Sequence, residues 1–347
     1  MIRPALTYFS KLMASDGYGR AAELHLMSLL AAGADVFVRP TGDWSDYDTA
    51  PDVHRLAHKA RLPTRWGILH DWPPSEWGVG DCRWHLGYTM IEGTRAPKWY
   101  VDAVNRYAVA LLVPCTQNVA ALIESGVRRP IRVVPHGLDG AYPWGDRTAG
   151  RPVTFGTLGT LTPRKGTDIL LRCWHRAFPP GDHRFGDVRL EIKVRGPYHF
   201  DAGDPRVSIL RGEWTKAEVR DWYHGLTAYV LPSRGEGFSL TACEAMRAGC
   251  GVVATDWGGP ADYMDDAYCY PLPITGLRDT RKDHPDGPDF GQWAVPDEDA
   301  LVGILRKIAG DPAAARAKGR RASAEMIRRF PLSLPGAGIL RAMEELA

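Results

Sequence analysis

The chain lacks any long apolar run. Its longest, "AVALLVPC" at 108–115, is far too short to cross a bilayer as a helix, which still allows peripheral membrane contact. The first twenty residues, "MIRPALTYFSKLMASDGYGR", lack the continuous apolar stretch of a signal peptide. Excess charge is also missing: 43 Lys and Arg face 41 Asp and Glu, for a net charge of +2, so no strong polyanion-binding field is expected. The one local basic cluster, Arg128, Arg129 and Arg132, reads as a solvated loop flank. The six cysteines, Cys82, Cys115, Cys173, Cys243, Cys250 and Cys269, include no CxxC pair and no Cys/His set with zinc spacing. Most stand beside apolar residues, as reduced thiols of a cytoplasmic protein would. No tract is of low complexity and no period of 20–50 residues repeats. With 347 residues, 44% hydrophobic and 24% charged, the chain has the composition of a soluble globular protein and the length for two domains.

Within that frame, short β-like runs alternate with amphipathic helical stretches. "ADVFVRP" (34–40), "RWGILHD" (65–71), "AVALLVP" (108–114) and "IRVVPHG" (131–137) read as buried strands. "GRAAELHLMSLLAAG" (19–33) and "TQNVAALIESG" (116–126) have helical spacing and a closing glycine, with Thr116 a natural N-cap. After the polar break "DGAYPWGDRTAGR" (139–151) the pattern restarts. "VTFGTLG" (153–159), "LEIKVRG" (190–196), "AYVLPS" (228–233) and "GVVATD" (251–256) are strand candidates. The segments 167–178, 215–226 and 240–249 are helix candidates. The alternation predicts an α/β protein with two parallel-sheet domains whose facing strand ends share a ligand cleft. We place them at 1–145 and 146–325, with a linker near 140–151. Residues 326–347 form a helical tail packing back on the N-terminal domain. Residues 273–291 read as a long polar loop, and the stretch from Leu301 to Phe330 as helix.

Four motifs carry chemistry. "RGEGFSLTACEAMRAG" (234–249) holds two carboxylates eight positions apart. Glu236 falls in a βα loop between Gly235 and Gly237, where the backbone can approach a ligand. Ser239 or Thr241 can cap the helix that follows, with Glu244 about a turn inside it. A carboxylate accepts two hydroxyls at once, which suits the diol of a sugar or ribose. The bland reading is a solvated loop residue and a helix charge stabilised by the dipole. Metal binding is weaker, because no third ligand is evident. "GTLTPRKGTDILL" (159–171) sets Arg164 and Lys165 before a helix N-terminus, a seat for a pyrophosphate, or an ordinary basic turn. "DGYGRAAEL" places Gly17 and Gly19 before a helix, but no acidic residue closes the next strand, which disfavours a NAD site. "TDWGGPADYM" (255–264) offers N–H groups after a strand, or a tight turn.

Taken in order with "VVPHGLD" (133–139), these motifs resemble the retaining glycosyltransferases of family 4, which have the GT-B fold: two Rossmann-like parallel-sheet domains facing across a cleft. The resemblance covers nearly the whole chain and is strongest from Ile131 to Gly259. Its counterparts here are Gly17–Gly19, "PHGLD", "GTLTPRKG", "EGFSLTACE" (the E-x7-E element) and "GCGVVATDWGG". It implies that Lys165 binds a donor diphosphate, that Glu244 holds the ribose diol and that Glu236 lies by the donor sugar. Gly17, Gly19, Gly237, Phe238, Ser239 and Leu240 would line the same donor site. Thr160 stands where the family has its first Arg, with Arg164 as the substitute cation. His70, in "ILHDWPPSEW", is similar to the family's cleft histidine. Glu92, in "YTMIEGTRAPKW", matches a segment of one branch. Trp72, Trp77 and Trp84 gather nearby, either as stacking platforms or as loop-core anchors.

The resemblance implies a metal-independent hexosyltransferase with no cofactor. It would move a sugar from a nucleotide-diphosphate donor to a hydroxyl of a glycan, lipid, protein or modified nucleic acid. The chain is expected as a monomer or homodimer. Rival readings are another GT-B enzyme, such as an epimerase or an inverting transferase with Glu92 or His70 as base, and a non-catalytic nucleotide-sugar-binding module.

Overall fold

The computed structural model describes residues 4–12, 16–41, 48–59, 63–71, 77, 82–145, 152–182, 184–196, 202–283, 285 and 287–347. They fall into two compact units, one of 1–139, 287–291 and 330–347, the other of 140–286 and 292–329.

The first unit is built on strands β1 (Ala5–Ser10), β2 (Asp35–Pro40), β3 (Trp66–His70), β4 (Trp84–Tyr88), β5 (Ala110–Val113) and β6 (Ile131–Val133). Among the described residues they form one parallel sheet in the order β2-β1-β3-β4-β5-β6. Helices α1 (Gly17–Ala31), α2 (Pro51–Ala57), α3 (Lys98–Tyr107) and α4 (Thr116–Glu124) connect the strands. Leu6, Val36, Ile68, Leu86 and Leu112 are all fully buried in its core. The strand order reverses between β1 and β3, the point at which ligands commonly bind sheets of this kind.

The second unit repeats the plan with β7 (Val153–Gly159), β8 (Val188–Val194), β9 (Val207–Leu210), β10 (Ala228–Leu231), β11 (Gly251–Thr255) and β12 (Tyr270–Leu272). The order is β12-β11-β10-β7-β8-β9, again parallel, with the reversal between β7 and β10. Its helices are α5 (Thr167–Ala177), α6 (Lys216–Gly225), α7 (Leu240–Arg247), α8 (Glu298–Gly310) and α9 (Pro312–Arg329). Phe155, Leu170, Trp174, Leu190 and Leu305 fill its core without exposure.

One sequence expectation needs correction. Residues 273–291 are not all loop: β13 (Ile274–Asp279) pairs antiparallel with β14 (Gln292–Pro296). Isolated, β13 has too many polar and glycine positions to read as a strand; its partner supplies the pairing. The stretch from Leu301 is helical as expected, and runs as two helices, α8 and α9. Pro312 has no N–H to continue α8, and Asp311 Oδ1 caps the new helix by accepting from Ala314 N at 2.9 Å.

The last helix, α10 (Ser333–Glu345), belongs to the first unit and lies on α1. The contact is close because Gly336 N donates to Ser28 Oγ at 2.8 Å. A Cβ at Gly336 would sit 2.6 Å from that oxygen. Gly336→Val is therefore expected to destabilise the α1–α10 contact by about 1–3 kcal/mol, read as faster amide exchange in both helices. Unchanged protection there would contradict this packing.

Candidate functional site

In the second unit the reversal point of the sheet is where charge collects. β7 ends at Gly159, and the chain passes Thr160 into a short 3-10 turn, Pro163–Lys165. Gly166 follows with φ of 72°, a left-handed conformation that a side chain rarely adopts. A Cβ there would also lie 2.0 Å from Pro232 O, so glycine is required twice over. This contact lays the loop after β7 against the loop after β10, and Arg234 N donates to Arg164 O at 2.7 Å.

The juxtaposition brings three of the sequence candidates together. Arg164 Nη1 donates to Gly235 O at 2.7 Å and to Glu236 Oε1 at 3.0 Å. Lys165 Nζ reaches the same Oε1 at 2.8 Å. Glu236 is 5% exposed. Burial alone would raise its pKa, but Lys165 and then Arg164 outweigh that and hold the carboxyl below its ordinary value. The site is thus one buried carboxylate between two cations, with the cations the more exposed partners.

A second ion pair braces this triad. Arg234 is buried and binds Asp168, in the first turn of α5, through two bonds of 2.9 and 2.7 Å. The bidentate geometry fixes the loop carrying Arg164 and Lys165 relative to the loop carrying Glu236. Sequence reasoning did not assign Arg234 a role. The available signal was an arginine directly after an apolar strand end, where a lone cation needs a partner.

The rest of the E-x7-E stretch is held from the other side. Phe238 is buried, and its carbonyl accepts from Tyr263 Oη at 2.8 Å. Gly259 N donates to Glu236 O at 2.8 Å, and a Cβ at Gly259 would lie 2.4 Å from Phe238 Cα. The Gly-Gly pair after β11 therefore packs this loop, and the Gly259 N–H is already taken. Ser239 stands at the N-cap position of α7 with φ of 70°, and among the described residues it makes no side-chain cap bond and its buried Oγ has no hydrogen-bond partner. Such a conformation for a non-glycine residue costs roughly 1–3 kcal/mol and marks functional loops. Thr241 does not cap either: its Oγ1 accepts from Tyr229 Oη at 3.0 Å. Leu240 opens α7, so the helix's N-terminal dipole end begins at Ser239 and Leu240. Glu244 lies further along α7, 5% exposed, where its charge reaches the buried phenols of Tyr223 and Tyr229.

In the first unit, His70 ends β3 at that sheet's reversal point and is fully buried, with Nδ1 2.8 Å from Tyr8 Oη. Burial pushes its pKa well below the ordinary value, so the ring is neutral. Gly17 and Gly19 lie in the first turn of α1 rather than before it, because Asp16 is the N-cap and accepts from Gly19 N at 2.7 Å. A Cβ at Gly17 would meet nothing within 4 Å. Glu92 sits in the loop after β4, just past Ile91, whose N–H and C=O are both held at 2.9 Å by the buried side chain of Asn118. Trp77 is a core anchor at 3% exposure, and Trp84 is half-buried with Arg65 over its ring at 4.0 Å. Trp72 lies outside the described residues.

Residues 152–277 match the family model described as "Glycosyl transferases group 1". The chain is 26% identical over 193 residues to the lipopolysaccharide core biosynthesis mannosyltransferase LpcC of Rhizobium leguminosarum bv. viciae, covering 53% of this chain and 48% of that protein. It is 28% identical over 246 residues to a D-inositol 3-phosphate glycosyltransferase of Mycolicibacterium smegmatis, covering 66% of this chain and 50% of that protein. The chain thus spans about half the length of these curated relatives. Its fold is that of HepE from Anabaena, solved in complex with UDP and glucose: TM-score 0.68, 14% identity, 99% of this chain and 100% of that one. The architecture is accordingly that of the GT-B glycosyltransferases.

The Arg234–Asp168 brace predicts a pH signature. Burial raises the Asp168 pKa, yet Arg234 and then Arg172 lower it further, to about 2 from 3.8. A carboxyl with a depressed folded value contributes stability above its unfolded value, and loses it as pH falls through the folded one. Asp168→Asn should therefore unfold less steeply than wild type between about pH 4 and pH 2. Identical acid-unfolding slopes would remove the brace from the account.

Proposed function

We propose that the protein is a retaining glycosyltransferase of the family-4 type, moving a sugar from a nucleotide-diphosphate sugar to a hydroxyl acceptor. The observation that carries this reading is the pair of cations converging on one buried carboxylate at the reversal point of the second sheet. Lys165 and Arg164 are the seat for the donor diphosphate, with Arg164 replacing the family Arg absent at Thr160. The N-terminus of α7, at Ser239 and Leu240, adds dipole and N–H groups to the same charge. Glu236, on its glycine-flanked loop, accepts hydroxyls of the donor sugar. Glu244, on the helix, accepts the ribose diol. The group 1 family match and the mannosyl- and glycosyltransferase relatives support a sugar donor, and the UDP and glucose bound by HepE support a nucleotide-diphosphate one.

The chemistry follows from charge. When the glycosidic bond to the diphosphate breaks, negative charge grows on the leaving oxygen, and fixed cations with helix N–H groups stabilise it without reorganising. No protein nucleophile is required: the leaving diphosphate takes the acceptor's proton on the face it vacates, and the new bond forms there with retained configuration. Positioning supplies the remainder. Neither carboxylate reacts, and no metal is needed to balance the diphosphate where two cations already face it.

A thermal-shift screen against UDP, GDP, ADP and their sugars should single out one nucleotide by its stabilisation. With that donor, Lys165→Ala is expected to abolish the shift and slow transfer by about 10²–10³-fold. Arg164→Ala should act in the same direction. A product NMR spectrum with inverted anomeric configuration, or an undiminished Lys165→Ala enzyme, would sink this reading.

A further inference from the structure

The net charge of +2 hides an uneven distribution. Helix α9 alone carries six cations against one carboxylate, Glu325. One face of α9 packs into the second unit, and the cations flank the opposite one. Along one flank they are satisfied within the unit. Lys318 pairs with Asp266 at 2.9 Å, and Arg321 Nε donates to Ala267 O at 2.7 Å. Arg329 Nη1 donates to Tyr268 Oη at 2.9 Å, and Arg328 pairs with Glu325 at 2.7 Å.

The other flank differs. Arg316 and Arg320, four residues apart and so on one side of the helix, have no carboxylate partner among the described residues. Ile327 continues the same line seven residues after Arg320 and is 52% exposed. The crest beside them carries Ala313, Ala317 and Ala324, all exposed. Next to Arg320 stands Trp144, 42% exposed, with the guanidinium over its ring at 5.1 Å. Trp144 and Ile327 are two of the three large apolar side chains that the described residues of the second unit expose, so their meeting here is not scatter.

The indole is held in place. A Cβ at Gly249 would lie 2.5 Å from its Cδ1. The neighbouring Gly145 backs onto the His224 ring, whose Nε2 is 2.9 Å from Pro143 O. A hollow of about 500 Å³ opens between Trp144 and the two arginines, room enough for a phosphate-bearing headgroup. Gly249 lies two residues before β11, at the amino edge of the parallel sheet, whereas Lys165 and Glu236 follow the carboxyl ends of β7 and β10. The face is therefore separate from the paired charges described above.

Cations without partners call for anions, and a fixed exposed indole in line with an isoleucine calls for an apolar phase beside them. A nucleic acid would use the arginines and the indole but leave Ile327 and the alanine crest in water. The surface of a bilayer with anionic lipids serves all of them: arginine heads meet headgroup phosphates while the indole and Ile327 enter the acyl boundary. We propose that the Arg316–Arg320–Ile327 flank of α9, with Trp144, is a docking surface for a bilayer containing anionic phospholipids. The proposal stands on the second unit alone and does not depend on the glycosyltransferase reading.

Flotation of the full-length protein with phosphatidylcholine vesicles, with and without phosphatidylglycerol, tests it. Binding is expected only where phosphatidylglycerol is present, and raised salt should release it. These arms use the wild-type protein, so they need no variant to fold. Arg316→Gln combined with Arg320→Gln should lower the partition coefficient by about 25-fold, each cation near an anionic surface being worth about fivefold. Trp144→Ala should lower it as well. Arg128→Gln combined with Arg129→Gln, in the basic cluster of the first unit, should leave it unchanged. Absence of binding to the mixed vesicles overturns the proposal, as does an equal or greater loss in the Arg128 and Arg129 variant. Capture of a labelled duplex oligonucleotide through Arg316 and Arg320, without vesicle binding, overturns it in favour of nucleic acid.

Discussion

Two cations, Arg164 and Lys165, share one oxygen of Glu236, and much of the second unit exists to hold that arrangement. A carboxylate this deeply buried is tolerated only with partners, and removing one from such a pair typically costs about 3–5 kcal/mol. The loops that supply the partners come from strands on either side of the sheet reversal. They meet because Gly166 allows Pro232 O to approach, and because Arg234 clasps Asp168 across the same gap. Gly259 and Tyr263 then pin the Glu236–Ser239 segment from β11's side. The carboxylate keeps two like charges close together. On the reading proposed here, a bound diphosphate would bring the charge that lets the cations turn from Glu236 without being left unpaired.

The two units use the same sheet plan for different electrostatics. At the reversal of the second sheet the chain gathers full charges, which suits an anionic ligand. At the reversal of the first it gathers His70 with Tyr8 and His25, neutral groups joined by hydrogen bonds. Burial keeps these rings neutral, so they offer hydrogen bonds without net charge, while the buried ions of the same unit are paired, Arg20 with Glu23 and Asp139 and Asp71 with Lys11. A sugar, rich in hydroxyls and uncharged, is the ligand chemistry that such groups read best.

Much of this was legible in the sequence, for reasons that can be named. The apolar runs at 108–114 and 251–256 are strands because they are buried on both faces, and such runs need no partner to be recognised. "ALTYFS", which becomes β1, mixes apolar and hydroxyl residues and hides its strand character, although Tyr8 is fully buried. β13 was hidden because only β14 makes it a strand. At the site, Lys165, Arg164 and Glu236 were visible as charges beside glycines. Their mutual contact was not, since seventy-odd residues separate the two loops. Arg234 was overlooked because its partner lies at Asp168, and the contact of His25 and Tyr8 with His70 was invisible because His25 looks like an unrelated core residue until β1 and β3 bring Tyr8 and His70 to it. Ser239 fits its capping position in sequence, but the left-handed turn points its hydroxyl elsewhere.

The central claim is that Glu236 and a nucleotide diphosphate compete for the same two cations. Calorimetric affinity for the sugar-free nucleoside diphosphate, measured for wild type, Glu236→Gln and Lys165→Ala, tests it most directly. Without a sugar to hold, Glu236 only competes, so Glu236→Gln should bind the diphosphate several-fold tighter, on the order of 3–10-fold, or up to about 1.4 kcal/mol. Lys165→Ala should bind it more weakly. Weakening of diphosphate binding in Glu236→Gln to the level of Lys165→Ala would contradict the account.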